Sequence, residues 1–562
     1  MQSDRQNWVT EQIQSIRETS LAALRTLRRR GPDNIQFWFI ALLIGTAAGG
    51  AAMFFRKAIE ALQTAFYGTS DVQLATVAGT LPWWWILSLP IVGGLVVGIV
   101  LHRFTPDGRV RSVADVIEGA AMHDGRVETR AGLASAFASL VTLSTGGSSG
   151  REGPVVHIAG LISSWVSARL HADGITGREL LGCAVAGAVS ASFNAPIAGA
   201  LFALEVVLRH YAVHAFAPIA IAAVAGTVIN RIEYGGVTEF VLPEAGSLAF
   251  LVELPAFVLL GLLSGLVAAA LMRLVFWSDT VASVVANKVR MPGWLRPAVA
   301  GAMLGAIAIW FPHIIGVGYE TTAAALTGRM IVFHEVVIFA VVKCVAVAIT
   351  FAGRMGGGIF SPSLMMGALT GLAFGMVATA IFPQVSGSET IYALAGMGAV
   401  AAAVLGAPIS TTMIVFELTG DWQTGIAVMT AVSLSTALAS HMVHRSFFLT
   451  QLERRGVHLA KGPQQYLLAM HRVGTVMADP THPDYPGDEA ALAVHEAGLS
   501  LPRSATLGEA MPLFERAPAH FVAVLDWSEE TGEIEVVGVL FELDALRAYN
   551  RALAATAAEE HA

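Results

Sequence analysis

Between about residue 37 and about residue 443 the chain is a succession of apolar runs, many of them short or broken by glycine and proline. No other feature narrows the possible folds as much. In lipid, every backbone N–H and C=O must find a partner inside the protein, so spanning segments are helices or closed barrels. Irregular backbone survives at membrane depth only where it is packed in protein or lines a cavity. Residues 37–55, 83–101, 249–277, 297–311 and 335–351 read as clear spans. The third is longer than the ~20 residues a crossing needs and is expected to tilt. Residues 131–144, 154–170, 195–207, 362–372 and 408–418 are short or interrupted. Half-length helices collected in one bundle point to a transport pathway. Composition agrees with this class: 55% of residues are hydrophobic and 14% charged, with a mean hydropathy of +0.63. Cys183 and Cys344 both lie in apolar runs and read as small packed residues, with no disulfide framework. No cleavable signal segment is expected.

Charge and composition divide the chain further. Residues 1–33 are polar and carry Arg17, Arg25, Arg28, Arg29 and Arg30 beside the first span. A cytoplasmic N-terminus is expected from this, as an amphipathic surface helix or a solvated tail. Residues 34–230 and 231–456 are expected to be two transmembrane repeats, and residues 457–562 a cytoplasmic domain.

The repeat rests on matched motifs. Gly150-Arg151-Glu152-Gly153-Pro154 has a partner in Gly358-Ile359-Phe360-Ser361-Pro362, at an offset of 208 residues. Ala195-Pro196-Ile197 pairs with Ala407-Pro408-Ile409, and Glu205 with Glu417, both at 212. Three features in one order at nearly one offset are a strong signal. Pro154 suits the first position of a helix, where its missing N–H costs nothing. The glycines before it let backbone approach a ligand. A helix start presents unsatisfied N–H groups and the positive end of the dipole, which is an anion site. Such partial charges, each worth ~0.3–2 kcal/mol, let an ion enter and also leave. Glu152 is the natural competitor for that site, since a carboxylate at mid-membrane costs ~2.5–3.5 kcal/mol without a use. Gly146-Gly147-Ser148-Ser149-Gly150 also fits the G-x-S-x-G hydrolase elbow, but an apolar helical run precedes it where the elbow needs a strand.

These motifs resemble the CLC family of chloride channels and chloride/proton antiporters, over roughly residues 35–456. The match is most specific at 150–154 and 358–362, and extends to 194–205 and 396–417. The resemblance implies an all-α multi-pass membrane protein with an inverted repeat of broken, tilted helices, assembled as a homodimer with one pore per subunit. It implies that Glu152 is the gate, filling an anion site when ionised and swinging away when protonated. It places the anion path at Ser112, Gly150, Arg151, Gly153, Gly358, Ile359, Phe360 and Phe448, with backbone N–H groups of Ile359 and Phe360 holding a central ion.

Three departures from the family pattern stand out. The stretch that usually reads G-S-G-I-P-E is Arg111-Ser112-Val113-Ala114-Asp115-Val116, so the glycines and proline around Ser112 are missing. The register there rests on Ile117-Glu118-Gly119 and on the counterpart Gly316-Val317-Gly318-Tyr319-Glu320. Ser112 reads as the coordinating serine, with a plain helix cap as the other reading. Phe448 stands where many members have tyrosine, keeping the steric plug but losing a hydroxyl donor. Val206 stands where coupled antiporters carry an inner glutamate, and it cannot hold a proton. Water or His157 would have to serve as relay, and His157 also reads as a packed polar residue. Glu205 and Glu417 are expected to bond to backbone at helix ends. Lys343, in an apolar run, either snorkels or pairs with a carbonyl.

Beyond residue 457 polar residues rise. Residues 479–487 look like a linker, 505–514 a short helix, 521–526 and 535–541 strands, and 542–548 a closing helix. That order resembles one CBS module, with 473–477 as the lead-in strand of an incomplete partner. Phe541 stands ahead of Asp544 where a nucleotide-binding Ser or Thr is usual, so no nucleotide or other cofactor is expected, and no metal. The reading is transport of chloride and similar small anions, channel-like or loosely proton-coupled, in a bacterial inner membrane with both termini cytoplasmic. A strict chloride/proton antiporter is the alternative, and a cation-coupled carrier of a small organic anion the second. Nucleic acid is not an expected partner. An enzyme is the remote reading, for want of a nucleophile–base set, an H-E-x-x-H or a Cys/His cluster.

Overall fold

The computed structural model describes residues 34–211, 213–235, 250–384, 386, 388–457, 459, 468, 471–527 and 534–561. The basic N-terminal segment lies outside them. The chain divides into a membrane unit that takes up most of the residues as far as Gly456 and a smaller unit made mainly of the residues from Val457 onward. The first half of the membrane unit runs α1 (Asn34–Tyr67), α2 (Leu74–Ala78), α3 (Trp83–Phe104), α4 (Val113–Met122), α5 (Thr129–Thr145), α6 (Glu152–Leu170), α7 (Gly174–Phe193), α8 (Pro196–Phe202) and α9 (Val213–Tyr234). The second runs α10 (Phe250–Lys288), α11 (Arg296–Ala308), α12 (Tyr319–Leu326), α13 (Phe333–Ala352), α14 (Phe360–Ile381), α15 (Glu389–Leu405), α16 (Pro408–Thr419), α17 (Trp422–Val443) and α18 (Phe447–Glu453). Because α9 continues to Tyr234, the expected break at residue 230 falls inside a helix.

Among the described residues, 7 helices are long and apolar enough to cross a membrane. The expected span 297–311 is not one of them: α11 has 13 residues, about 20 Å at the helical rise. Conversely, the apolar run at 362–372 belongs to the 22-residue α14. Helix α3 shows how a lipid-facing element is built. It buries Leu89, Gly93, Gly94 and Val97 and exposes Val92, Val96 and Ile99, so it is apolar all round.

The matched motifs produce matched breaks. Helix α7 ends at Asn194 (φ 54°) and α15 at Gly406 (φ 70°), both left-handed. Ala195 (φ −130°) and Ala407 (φ −131°) then turn the chain into Pro196 and Pro408, the first residues of α8 and α16. Proline biases the residue before it toward extended backbone and cannot donate, so each helix must stop and restart. Small residues let these segments pack closely. A Cβ on Gly226 of α9 would strike the backbone of Gly187 in α7, and one on Gly187 would strike Gly45 in α1. Gly226→Val is therefore expected to lower the thermal unfolding midpoint of the detergent-solubilised protein, by overpacking worth ~1–3 kcal/mol or more. An unchanged midpoint would mean that the three helices separate freely.

The C-terminal unit contains α19 (Asp488–Glu496), β1 (Ser500–Pro502), α20 (Leu507–Phe514), β2 (Phe521–Trp527), β3 (Ile534–Phe541) and α21 (Glu542–His561). Strand β1 pairs parallel to β2, and β2 antiparallel to β3, with a bulge between Val524 and Leu525. Leu507, Phe514, Val522, Val524 and Leu540 form its core. Residues 473–477 are not a strand. Val473–Thr475 is a 3-10 turn closed by the Thr475 hydroxyl, which donates to the Arg472 carbonyl at 2.7 Å. Helix α21 outruns its expected end at residue 548 because its alanine-rich continuation has high helix propensity.

Candidate functional site

The two G-x-x-x-P motifs meet. Gly150 N donates to Gly358 O and Gly358 N donates to Gly150 O, both at 2.7 Å, so the starts of α6 and α14 are joined by a two-residue antiparallel bridge. The loops before them brace each other in the same symmetric way. Gly356 N donates to Thr142 Oγ1 at 3.0 Å, and Ser148 N donates to Thr350 Oγ1 at 3.1 Å. Thr142 sits on α5 and Thr350 on α13, again 208 apart. Close approach requires glycine here: a Cβ on Gly153 would lie 3.0 Å from Gly358 Cα. Both prolines sit two residues deeper than expected. Helix α6 starts at Glu152 with Arg151 as its cap (φ −86°), and α14 at Phe360 with Ile359 as its cap (φ −90°). Pro154 and Pro362 are thus third in their helices, where an N–H is still not needed by the ladder.

Glu152 crosses from one half to the other. It is 4% exposed, and its Oε1 accepts from the Ser361 hydroxyl and from the Tyr319 hydroxyl, the latter at 3.3 Å. Ser361 is the second residue of α14, so the carboxylate occupies the positive end of that helix. Arg151 stands over the Tyr319 ring, its guanidinium carbon 4.8 Å from the centroid. Glu152 Oε2 is buried with no hydrogen-bond partner among the described residues. An unsatisfied buried acceptor costs ~1–3 kcal/mol, more if charged, so this seat is held without being deep. Glu152 corresponds in the repeat to Phe360. The second half thus places a ring, packed 5.0 Å from Phe193 and 6.1 Å from Phe202, where the first places a carboxylate.

Ser112, Gly153, Gly358, Ile359 and Phe448 line one cavity, together with Gln451. Gly150, Arg151 and Phe360 do not line it; they belong to the bridge, the Tyr319 contact and the aromatic cluster. The amides of the cap Ile359 and of Phe360, the first residue of α14, are groups the helix itself cannot satisfy. Ser112 is the cap position of α4, since its carbonyl accepts from Asp115 N at 3.1 Å, but its hydroxyl does not cap. The hydroxyl instead donates to Gln451 Oε1 at 3.5 Å. Asp115 holds the loop that lacks its glycines and proline. Its Oδ2 accepts from Ser112 N at 2.6 Å, as in the reciprocal half of a capping box, and its Oδ1 pairs with Arg455 at 2.8 Å. Arg111 pairs with Asp107 and Glu128 at the loop's rim. Partial burial pushes the Asp107 carboxyl up, but the Arg111 hydrogen bonds and charge outweigh it and hold it below the usual range.

The remaining candidates fall elsewhere. Val206 is buried in a π-turn, Ala203–Leu208. Glu205 accepts from Ile409 N at 2.9 Å and Ser410 N at 2.7 Å, capping α16. Glu417 accepts from Ile197 N at 3.0 Å and Ala198 N at 2.8 Å, capping α8. Each glutamate thus caps the helix that leads to or carries the other, as expected of helix-end acceptors. Lys343 is fully buried and donates to the Ile314 and Gly316 carbonyls at 3.1 and 3.0 Å, so it pairs with backbone and does not snorkel. His157 is buried against Gly132 of α5. Ser148 and Ser149 are fully buried after a helix, which removes the hydrolase elbow. Sequence reading missed Tyr319, Asp115, Gln451, Arg455 and the two threonines. The 208-residue offset relating Thr142 to Thr350 was the available signal for the last pair.

A family profile described as "Voltage gated chloride channel" matches residues 93–440. An H(+)/Cl(−) exchange transporter, ClcA, of Cronobacter sakazakii is 31% identical over 459 residues, covering 79% of this chain and 95% of that protein. A voltage-gated ClC-type chloride channel, ClcB, of Shigella flexneri is 29% identical over 430 residues, covering 74% and 98%. In fold the chain is similar to a slow cyanobacterial Cl−/H+ antiporter, with a TM-score of 0.66 and 19% identity over 75% of this chain and 98% of that one.

Proposed function

The chain belongs to the voltage-gated chloride channel (CLC) family of anion transport proteins, and from that premise we propose that it moves chloride and similar small anions along a pathway gated by Glu152. One observation carries the gating: a carboxylate from one half is seated on Ser361, at the helix start of the other. A small anion and that carboxylate want the same donors, so they exclude each other. The inner cavity, from the start of α14 past Ser112 to Phe448, supplies the rest of the path.

The coupling we favour is channel-like or loose. The similar proteins include an exchanger and a channel, so likeness does not choose between them. What favours loose coupling is Val206, which offers no proton site on the inner side. Strict exchange is the second reading, and it would route protons from Glu152 through water or His157. The protein is proposed to work as a homodimer in a bacterial inner membrane, with both termini cytoplasmic. Its C-terminal unit is proposed as a CBS-like structural cap that binds no nucleotide.

Liposomes loaded with chloride separate these readings. Anion efflux and external pH are recorded together after a chloride gradient is imposed. A channel leaves an opposing proton gradient alone, and loose coupling moves fewer protons per anion than strict exchange does. Uphill proton movement in fixed ratio to chloride would replace the favoured reading with the second. Absence of chloride flux from correctly folded protein would remove both.

A further inference from the structure

A phenolic hydroxyl is missing at position 448, and the cavity beside Phe448 holds a candidate replacement. Ser112 and Gln451 are the uncharged polar side chains lining that cavity. Gln451 lies three residues beyond Phe448 on α18, a spacing that puts both on one helix face. Ser112 cannot hold an ion alone. Its backbone N–H is taken by Asp115 at 2.6 Å, and its hydroxyl, which has one hydrogen, points at Gln451 Oε1. A carboxamide whose oxygen faces Ser112 keeps two N–H donors on its nitrogen.

The cavity's cations are placed differently. Of the four arginines that line it, Arg455 pairs with Asp115 through Nη1, Arg454 donates to the Phe276 carbonyl at 3.3 Å and to Thr280 at 2.6 Å, Arg354 donates through Nη1 to the Asp107 carbonyl at 3.4 Å, and Arg109 stands beside the Asp107 turn. A full charge in direct contact would also hold an ion too long for it to leave, whereas a neutral amide permits exit.

We infer that Gln451 is an anion-binding residue: its side-chain amide donates to a small monovalent anion held between Ser112, Phe448 and the start of α14, in place of the absent hydroxyl. When the ion arrives, the Ser112 hydrogen turns from Gln451 Oε1 to the ion, and the amide N–H adds a second donor. This rests on the anion-path reading above.

The test uses the purified full-length protein, with chloride as the probe, measured by titration calorimetry and by efflux from liposomes. Gln451→Leu is expected to weaken chloride binding about ten- to a hundred-fold, the loss of one hydrogen bond to a charged group. Gln451→Glu keeps the shape but replaces the donors with a negative acceptor, and should bind chloride more weakly still. Adding Phe448→Tyr to Gln451→Leu should recover about half or more of the lost affinity, and more than Phe448→Tyr adds to the wild type. Wild-type affinity in both Gln451 variants would overturn the inference. So would a Phe448→Tyr gain that is the same with and without Gln451. A wild-type protein that neither binds nor passes chloride would instead sink the anion-path reading, which keeps the two failures apart.

Discussion

Glu152→Ala is expected to keep passing anions and to lose the response of that flux to pH. The wild-type carboxylate accepts from the Ser361 and Tyr319 hydroxyls, and on the gating proposed above it would compete there with an incoming ion for the start of α14. A hydrogen bond to a charged group contributes ~1.5–3 kcal/mol. Removing that competitor should raise anion occupancy of the seat by roughly ten-fold or more, since ~1.4 kcal/mol is ten-fold. Alanine leaves the seat empty, so efflux should be raised and the same at every pH tested. Any coupled proton movement should vanish with the carboxylate. Glu152→Gln should also be flat, but slower, because the amide still fits against Ser361 and partly blocks the path. Gly150→Ala approaches the same state by another route, since its Cβ would crowd the seated carboxylate. The readout is efflux from liposomes at several pH values. An alanine variant that kept the wild-type pH response would show that Glu152 is not the gate.

Glu205→Ala and Glu417→Ala should be among the most destabilising single changes in the membrane unit. Each removes a carboxylate that accepts from two backbone N–H groups of a helix start. Charge-assisted bonds of this kind contribute ~1.5–3 kcal/mol each, and lipid offers the freed N–H groups no water. A loss of ~3–5 kcal/mol per variant follows. The two sites also depend on each other. Glu205 follows α8, the helix that Glu417 caps, and Glu417 lies on α16, the helix that Glu205 caps. Loosening one helix displaces the other's acceptor, so the double variant should lose clearly less than the sum. Glutamine at either position should recover part of the loss, because it can still accept one of the two bonds. Thermal unfolding of the solubilised protein measures all of this. Strictly additive losses, or single losses under ~0.5 kcal/mol, would mean that the reciprocal caps do not stabilise the two halves.

Much of this architecture was readable without coordinates. The bilayer constraint, the Gly/Pro punctuation and the 208- to 212-residue offsets identified a repeated bundle of broken helices. They also identified the two motifs that meet in it. The helix-end role of Glu205 and Glu417 was legible because each follows its proline by the same distance. Expectations failed where local signals were ambiguous. The run at 297–311 is as apolar as a span, yet α11 is too short to be one. The threonine-closed turn at Val473–Thr475 has strand-like composition, but its backbone bonds are made otherwise.

The sequence by itself determined where helices break, which backbone donors are left over at each break, and that a lone carboxylate at residue 152 stands beside one of them. Those are short-range properties: proline geometry, glycine freedom and apolar run length act within a few residues. Only the tertiary structure decided what the leftover groups meet. It set Glu152 on Ser361, 209 residues away, and Ser112 against Gln451, 339 residues away. It also committed Arg455 to Asp115 across 340 residues. Such pairings depend on how whole helices pack, and no local propensity encodes them.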